Sequence, residues 1–167
     1  MVTGVTYAVW VRQVNATQEL NVPVDTYNPS EKYIIFHGIN NAGELVDSSP
    51  TGYAVVGYDG LVAELIIPDE HNSLPVKKIC VDPDQQLKRL TNNDIITSIR
   101  IPANVTTISA GACQAMDHLT TVIFEGTTPA VTIGDYAFAN CPNLTTFTCE
   151  RTITGDSTKY LLGTAVE

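Results

Sequence analysis

The stretch Ile133–Phe147, IGDYAFANCPNLTTF, carries the pattern that decides the fold of this chain. A small apolar pair, Ala137-Phe138, is followed three residues later by a cysteine, and Leu144 follows three residues after that. Cys141 is the informative residue, because a reactive thiol or a metal ligand would indicate chemistry, whereas a small apolar side chain would indicate packing. The rest of the sequence decides between these roles, because the pattern recurs.

Size and composition narrow the class of protein. The chain has 167 residues, of which 44% are hydrophobic and 16% are charged, so it suits one domain or a repeat array with a small companion domain. Eighteen acidic residues against nine basic ones give a net charge of -9. That charge argues against a nucleic-acid partner, because phosphate binding needs clustered Lys and Arg. No apolar run reaches the length of about 18 residues that a membrane-spanning helix needs, so no membrane insertion is predicted.

The N-terminus, MVTGVTYAVWVRQV, bears on where the protein works. It lacks a basic leader and a long unbroken apolar core, so it is not interpreted as a secretory signal. The location therefore stays open between two settings. The chain belongs to the cell surface or the extracellular space if a leader has been removed, and to a virus particle if Met1 is the native start.

A hexad of one apolar residue, two polar or small residues, an apolar residue, any residue and a final apolar residue occurs four times. The copies are VAELII from Val62, ITSIRI from Ile96, LTTVIF from Leu119 and LTTFTC from Leu144. Positions four and six alternate as in a strand, and copies that start 34, 23 and 25 residues apart predict the coils of a solenoid. The predicted interior columns are Leu65, Ile99, Val122 and Phe147, and next to them Ile67, Ile101, Phe124 and Cys149.

The segments between the hexads repeat as well. The two copies are VTTISAGACQAMDHL (105–119) and VTIGDYAFANCPNL (131–144), which superpose once one threonine is dropped. Met116 then takes the slot of Cys141, and Cys113 takes the slot of Phe138. A site that accepts Met or Phe is an apolar packing site, so Cys141 is predicted to be structural. The Ala-Phe-x-x-Cys segment is predicted to form a short helical or 3₁₀ turn that buries Ala137 together with Phe138 and Cys141.

These motifs resemble the BspA-type leucine-rich repeat of bacterial surface proteins. That family's coil runs from a strand through Ile-Pro and Val to Ile-Gly-x-x-Ala-Phe, and then to Cys-x-x-Leu. The matching residues are Ile101-Pro102, Val105, Ile108, Ala112 and Leu119 in one coil, and Val131, Ile133-Gly134, Ala137-Phe138, Cys141 and Leu144 in the next. The resemblance covers about 52–150, because 52–79 are similar to the family's entry coil. It implies a scaffold for adhesion, host contact or protein binding, and it implies no reaction and no cofactor.

The resemblance divides the chain into three parts. Residues 1–51 are predicted to be an N-terminal β-rich cap or small β domain, because VTYAVWVRQV, ELNVPVDTY and KYIIFHGI have strand patterns. Residues 52–150 are the repeats, although 80–95 keep neither the Ala-Phe pair nor the final cysteine. Residues 151–167 are predicted to cap the other end, with TKYLLGTAVE as a last strand. The predicted fold class is therefore mainly β, a short leucine-rich-repeat solenoid of about four coils with an N-terminal β segment.

No group of residues predicts catalysis or metal binding. Among the three histidines, His118 is interpreted as a surface residue at a coil corner. A metal site at Asp69, Glu70 and His71 is disfavoured because adjacent loop residues rarely converge on one ion. Residues Asp82–Asp84 lack the glycine and the distant Glu of an EF-hand loop. The sequence therefore predicts no catalytic, cofactor-binding or metal-ligating residues, and no enzyme.

The candidate interaction surface is the outward face of the hexad strands. Positions three and five of the hexads select Glu64, Ile66, Ser98, Arg100, Thr121, Ile123, Thr146 and Thr148. Ile66 and Ile123 are apolar where solvent is expected, and Arg100 lies between them in one column, as at the centre of an interface. A sheet face with tolerated isoleucines is an equally good interpretation.

The favoured function is a non-catalytic module for protein binding, adhesion or assembly. The alternative is a virion structural protein, such as a capsid decoration, head-fibre or tail accessory protein of a bacteriophage, because the chain is small, acidic and begins at Met1. An enzyme is the third hypothesis. The predicted partners are host-surface proteins or neighbouring structural subunits, with no nucleic acid and no membrane insertion, and self-association is left open.

Overall fold

The structure, a computed structural model, describes residue 28 and residues 30–80 and 95–166. Within them the regular elements are mostly short strands, with a 3₁₀ helix at Glu31–Tyr33 and one short α-helix, α1, at Ser157–Tyr160. The strands are β1 (Ile34–Ile39), β2 (Gly52–Tyr58), β3 (Glu64–Ile66), β4 (Glu70–His71), β5 (Leu74–Ile79), β6 (Ser98–Ile101), β7 (Thr107–Ile108), β8 (Thr121–Phe124), β9 (Val131–Ile133), β10 (Thr146–Cys149) and β11 (Ile153–Thr154). None of the helices in these residues is long and apolar enough to cross a membrane. The predicted strands VTYAVWVRQV and ELNVPVDTY lie outside the described residues.

The four hexads form one parallel sheet in the order β10-β8-β6-β3, here called the parallel sheet. Its register aligns the columns Leu65, Ile99, Val122 and Phe147, and Ile101, Phe124 and Cys149. The predicted columns are therefore confirmed for these residues, and their members in the first three coils are at most 3% exposed. Ile67 follows β3 and lies outside this register, but it is buried as predicted, at 3% exposed. Phe147 and Cys149 are only half-buried, because they belong to the last of the four strands.

The second wall of the solenoid is a mixed sheet in the order β1-β2-β5-β7-β9-β11, with β4 paired to β5. The pairs β1–β2 and β4–β5 are antiparallel, and the others are parallel. Ile79, Ile108 and Ile133 align across this sheet and point into the core. The predicted strand KYIIFHGI corresponds to β1, which pairs with β2 across residue 51. The division of the chain at that residue stays a prediction.

A third wall is made of single turns, in keeping with the prediction of a short helical or 3₁₀ turn. Its i→i+3 hydrogen bonds, such as Ala112 N to Ser109 O and Ala137 N to Gly134 O at 3.2 Å, do not continue into a helix. Left-handed residues interrupt it, among them Tyr136 with a φ of 62°. The walls of successive coils are joined by backbone bonds, such as Cys113 N to Ala137 O at 2.7 Å. The burial of Ala137, Phe138 and Cys141, each 0% exposed, is confirmed.

The C-terminal segment turns at α1 instead of forming the predicted strand. Asp156 caps this helix, since its carboxylate accepts from Thr158 N at 3.0 Å and from Thr158 Oγ1 at 2.6 Å. Tyr160 is 5% exposed, and its carbonyl accepts from Phe138 N at 3.0 Å. Local capping and the burial of one aromatic ring therefore override the strand-like pattern of TKYLLGTAVE.

Candidate functional site

The outer face of the parallel sheet brings together all eight residues that the hexads select. Its first column is Glu64, Ser98, Thr121 and Thr146, and its second is Ile66, Arg100, Ile123 and Thr148. These residues alternate along each strand with the interior columns, so they point away from the core. These eight residues are called the outer face.

Arg100 is fixed at the centre of the outer face by two carboxylates. Its Nη1 lies 3.2 Å from Glu125 Oε1, and its Nε lies 3.3 Å from Glu64 Oε1. The bonds to Glu125 and then to Glu64 raise the pKa of the guanidinium above its ordinary value. All three side chains remain between 42% and 52% exposed, so the pairs orient Arg100 without contributing much stability. Glu125 lies just after its hexad and was not selected by the sequence pattern.

The free edge of the parallel sheet at β3 is covered by a polar loop. Ile66 N donates to Ser30 Oγ at 2.9 Å, and Ile66 O accepts from Ser30 Oγ at 3.0 Å and from Asn28 Nδ2 at 2.8 Å. Ser30 is fully buried. Side chains thus take the place of a neighbouring strand, which protects this edge from pairing with another chain. The segment NPSE at 28–31 predicts a turn, but no sequence signal pointed to the hydrogen bonds of Asn28 and Ser30 with β3.

A cleft of about 370 Å³ opens beside the outer face. Its walls are Asn28, Glu31, Ile66, Ile67, Pro68, Asp69, Pro102 and Glu125. The prolines follow hexads directly, so the cleft lies at the corner where the coils leave the parallel sheet. Ile66 and Glu125 belong both to this cleft and to the surroundings of Arg100. The cleft therefore adjoins the outer face and is lined by apolar residues together with the carboxylates of Glu31, Asp69 and Glu125.

The cysteines lie in packing positions. Cys80, Cys113 and Cys141 are each 0% exposed, and Cys141 Sγ donates to Cys113 O at 3.2 Å. Burial raises the pKa of the Cys141 thiol, and it raises the pKa of Cys113 well above its ordinary value. A buried thiol with a raised pKa is a poor nucleophile and a poor ligand, so these groups pack rather than react.

The histidines and acids considered as metal ligands are dispersed. His71 stacks on Phe36 with a centroid distance of 4.0 Å, and the ring of Tyr53 meets it edge-on at 4.7 Å. His118 is exposed, and His37 Nε2 lies 3.6 Å from Asp47 Oδ1. Within the described ranges, no three His, Cys, Asp or Glu side chains are grouped as metal ligands are. The segment Asp82–Asp84 lies outside those ranges.

Comparison with known proteins identifies the repeats. The family model for the BspA type leucine rich repeat region matches residues 88–160 with six copies. A comparison with curated proteins finds no match. Among solved structures, a leucine rich cell surface protein from Faecalibacterium prausnitzii A2-165 is similar at 27% identity and a TM-score of 0.51, over 62% of this chain and 28% of that chain.

A leucine rich repeat protein from T. pallidum is also similar, at 15% identity and a TM-score of 0.42, over 75% of this chain and 64% of that chain. The alignments thus cover less than two thirds of the length of either structural relative. The hexad columns, the stacked turns and the matched family model agree on one repeat type. The repeats of this chain therefore resemble the BspA-type leucine-rich repeat, whose family model matches residues 88–160.

Proposed function

We propose that this chain is a non-catalytic protein-binding module whose contact surface is the outer face. The observation that carries the proposal is the second column, in which Arg100 lies between Ile66 and Ile123 on adjacent strands. Arginine is enriched at the energetic centres of protein interfaces, and flanking aliphatic groups exclude water from such a centre. A surface setting is supported by the similar protein from Faecalibacterium prausnitzii, which is described as a cell surface protein.

The geometry of the outer face suits recognition of another protein. Arg100 is already oriented by Glu64 and Glu125, so less side-chain entropy is lost when a partner binds. The threonines of the outer face lie on β8 and β10, where their hydroxyl groups provide polar contacts beside Arg100 and its aliphatic neighbours. The adjoining cleft gives a partner side chain a place to enter, and its Glu31 and Asp69 favour a basic one.

A binding role is favoured over an enzymatic role and over a structural role in a virion. The leucine-rich-repeat scaffold implies no reaction, so we propose a binding role rather than an enzymatic one. The similar solved structures are described as leucine-rich-repeat proteins, one of them from a cell surface. That description favours a surface module over a virion structural protein. The ligand is therefore sought among secreted and cell-surface proteins.

The test is a binding assay against an array of purified extracellular-matrix and cell-surface proteins. Any protein that binds saturably is measured again with Arg100→Ala and Ile123→Asp. The controls are Lys159→Ala and Thr132→Asp, which make matched changes at exposed positions away from the outer face. We expect the two outer-face variants to weaken binding by about tenfold or more, as for central interface residues, and the controls to bind normally. Equal binding by all four variants would place the contact surface elsewhere.

A further inference from the structure

A β-bulge in β5 places two consecutive lysines on the same side of the mixed sheet. Tyr53 pairs with Val76, but the next residue, Ala54, pairs with Lys78, so Lys77 is the extra residue of the bulge. Consecutive residues of a regular strand point to opposite faces, whereas Lys77 and Lys78 both line one notch outside the core. The bulge therefore brings two lysine side chains to one notch of an acidic protein.

Both lysine side chains are held in defined positions. Lys77 Nζ donates to Thr51 O at 3.0 Å, and Lys78 Nζ donates to Gly43 O at 3.1 Å. A Cβ atom at Gly52 would lie 3.0 Å from Lys77 Cδ, and one at Gly43 would lie 3.1 Å from Lys78 Cδ. The two glycines thus leave room for the aliphatic stems, and the two carbonyls anchor the ammonium groups. Each ammonium group keeps further N–H donors for a ligand.

The positive charge at this place is not neutralised by a close carboxylate. In the part of the chain that the structure describes, no Asp or Glu oxygen lies within 4.0 Å of either ammonium group. The neighbouring acid, Glu44, is held by Asn40, whose Nδ2 lies 2.9 Å from Glu44 Oε2. Lys78 pairs with Thr107 in the sheet, so a hydroxyl-bearing residue adjoins the two cations.

The notch between these groups has a volume of about 150 Å³. Besides the two lysines it is lined by Ile39, Asn40, Asn41, Ala42, Gly43, Thr106 and Thr107. Within the described residues, neither Thr106 nor Thr107 uses its hydroxyl in another hydrogen bond. The residues that line the notch thus carry ammonium, hydroxyl and side-chain amide donors.

We propose that this notch binds a sulfate or phosphate group. A tetrahedral oxyanion presents acceptors on all sides, and hydrogen bonds from ammonium groups to such oxygens are among the strongest in proteins. The net charge of -9 repels anions from the surface as a whole, so binding depends on these fixed local donors. The notch opens on the mixed sheet rather than on the outer face, so the proposal is independent of the proposed function.

The test is a titration of the purified chain with sodium sulfate and sodium phosphate at constant ionic strength, with sodium chloride as the reference. Amide shifts are followed by two-dimensional NMR. We expect saturable shifts at Gly43, Thr106 and Thr107, and a loss of affinity of about tenfold in Lys77→Gln and in Lys78→Gln. Lys159→Gln, which removes an exposed cation elsewhere, is expected to keep the affinity. Linear, unsaturated shifts, or an equal loss in all three variants, overturn the proposal.

Two threonine variants and two sugar esters extend the titration. Thr106→Val and Thr107→Val leave both lysines in place and remove only hydroxyl donors, so they are expected to weaken binding by several-fold while the remaining spectrum stays unchanged. Glucose 6-phosphate and glucose 6-sulfate are then compared with the inorganic ions. Tighter binding of the sugar esters assigns the notch to an anionic group carried on a larger molecule, and binding of the inorganic ions alone assigns it to a free anion. Failure of all four probes to bind overturns the proposal.

Discussion

Phe138 belongs to an aromatic cluster that links two coils. Its ring lies 5.6 Å from Phe147 and 6.5 Å from Phe124, in edge-to-face arrangements, and the residue is 0% exposed. Phe138→Ala is expected to lower the free energy of unfolding by about 3–5 kcal/mol, because a large cavity remains in a close-packed core. Urea unfolding followed by circular dichroism measures the change. Tyr136→Ala, at a position that is 45% exposed on the same turn, is the matched control and should change the stability little.

The thiols at the core positions are expected to be chemically inert in the folded protein. Cys113 and Cys141 are 0% exposed, whereas Cys149 is half-buried in the last strand of the parallel sheet. A disulfide reagent at pH 8 should therefore label Cys149 first, and label the other two only as fast as the protein opens. Peptide mapping by mass spectrometry identifies the labelled residues. Labelling of Cys141 at the rate of a free thiol would show that its slot is not interior.

Burial of the Cys113 and Cys141 thiols also makes the free energy of unfolding depend on pH in the alkaline range. The pKa values of Cys113 and Cys141 are raised from 9.0 because burial penalises the thiolate. The folded state then holds these protons more tightly than the unfolded state. The stabilisation is complete below the unfolded pKa and is lost as the pH rises above it. The free energy of unfolding is expected to fall from about pH 9 upward. Urea titrations at pH 7 and pH 10 should show a smaller fall in the double variant Cys113→Ala/Cys141→Ala, and an unchanged fall would contradict the assignment.

Sequence superposition predicted the burial of Cys141 because it compared residues that share one slot. Met116 and Cys141 differ in chemistry but share a preference for apolar surroundings. Because the two residues occupy the same position in successive repeats, that position was identified as an apolar one. No comparable repeat exists for Asn28 and Ser30, which cover a single sheet edge once. Residues that act once in a repeat protein leave no internal pattern to compare.

At the scale of elements, the spacing between coils is set by close backbone contact. A Cβ atom at Gly134 would lie 2.5 Å from Ala110 N and 2.9 Å from Ala110 Cα. Gly134→Ala is expected to lower the free energy of unfolding by about 1–3 kcal/mol, because the backbone of the preceding coil must shift. Gly57→Ala is the control, since its Cβ would meet only the flexible end of Ile35 at 3.2 Å. Thermal and urea unfolding should rank the two variants in that order, and the reverse order would contradict this account of coil spacing.

The elements differ in how well their sequences predicted them. The hexad strands were predicted correctly because the alternation of buried and exposed residues is strict in a two-sided sheet. The third wall was predicted as short helical or 3₁₀ turns, and it consists of single turns with i→i+3 hydrogen bonds. Residues such as Tyr136 adopt left-handed backbone angles, so these turns do not continue into a helix. The bulge in β5 was not predicted, because LPVKKI contains no glycine or other signal at Lys77. Its position depends on pairing with β2, which is a tertiary contact.

For the whole molecule, the sequence repeats predicted the solenoid but not the hydrogen bonds that join the corners of its coils. Arg151 is 4% exposed, and in the described residues it has no carboxylate partner. Its guanidinium donates instead to backbone carbonyls of preceding coils, which are Pro129 O at 2.6 Å, Val105 O at 2.8 Å and Pro102 O at 3.4 Å. Burial lowers the pKa of this guanidinium, yet arginine remains charged at neutral pH. One side chain therefore joins corners that lie far apart in the sequence.

Replacement of Arg151 tests whether these corners contribute to the stability of the whole array. Arg151→Met keeps most of the apolar stem and removes the donors, so buried carbonyls lose their partners. The free energy of unfolding is expected to fall by about 2–4 kcal/mol, measured by urea titration. Arg151→Lys should recover only part of the loss, because one ammonium group cannot reproduce the planar fork of a guanidinium.

Lys159→Met is the control for loss of a cation, since Lys159 Nζ pairs with Asp135 Oδ2 at 2.9 Å on the exposed surface. It should leave the unfolding curve nearly unchanged, because exposed ion pairs contribute little. If Arg151→Met were as stable as the native chain, the corner carbonyls would have to be solvated, and the coils would be held by strand pairing and core packing alone. If instead it unfolds at lower urea with an unchanged slope, the whole array loses stability as one cooperative unit. The corner contacts would then belong to the same cooperative structure as the sheets.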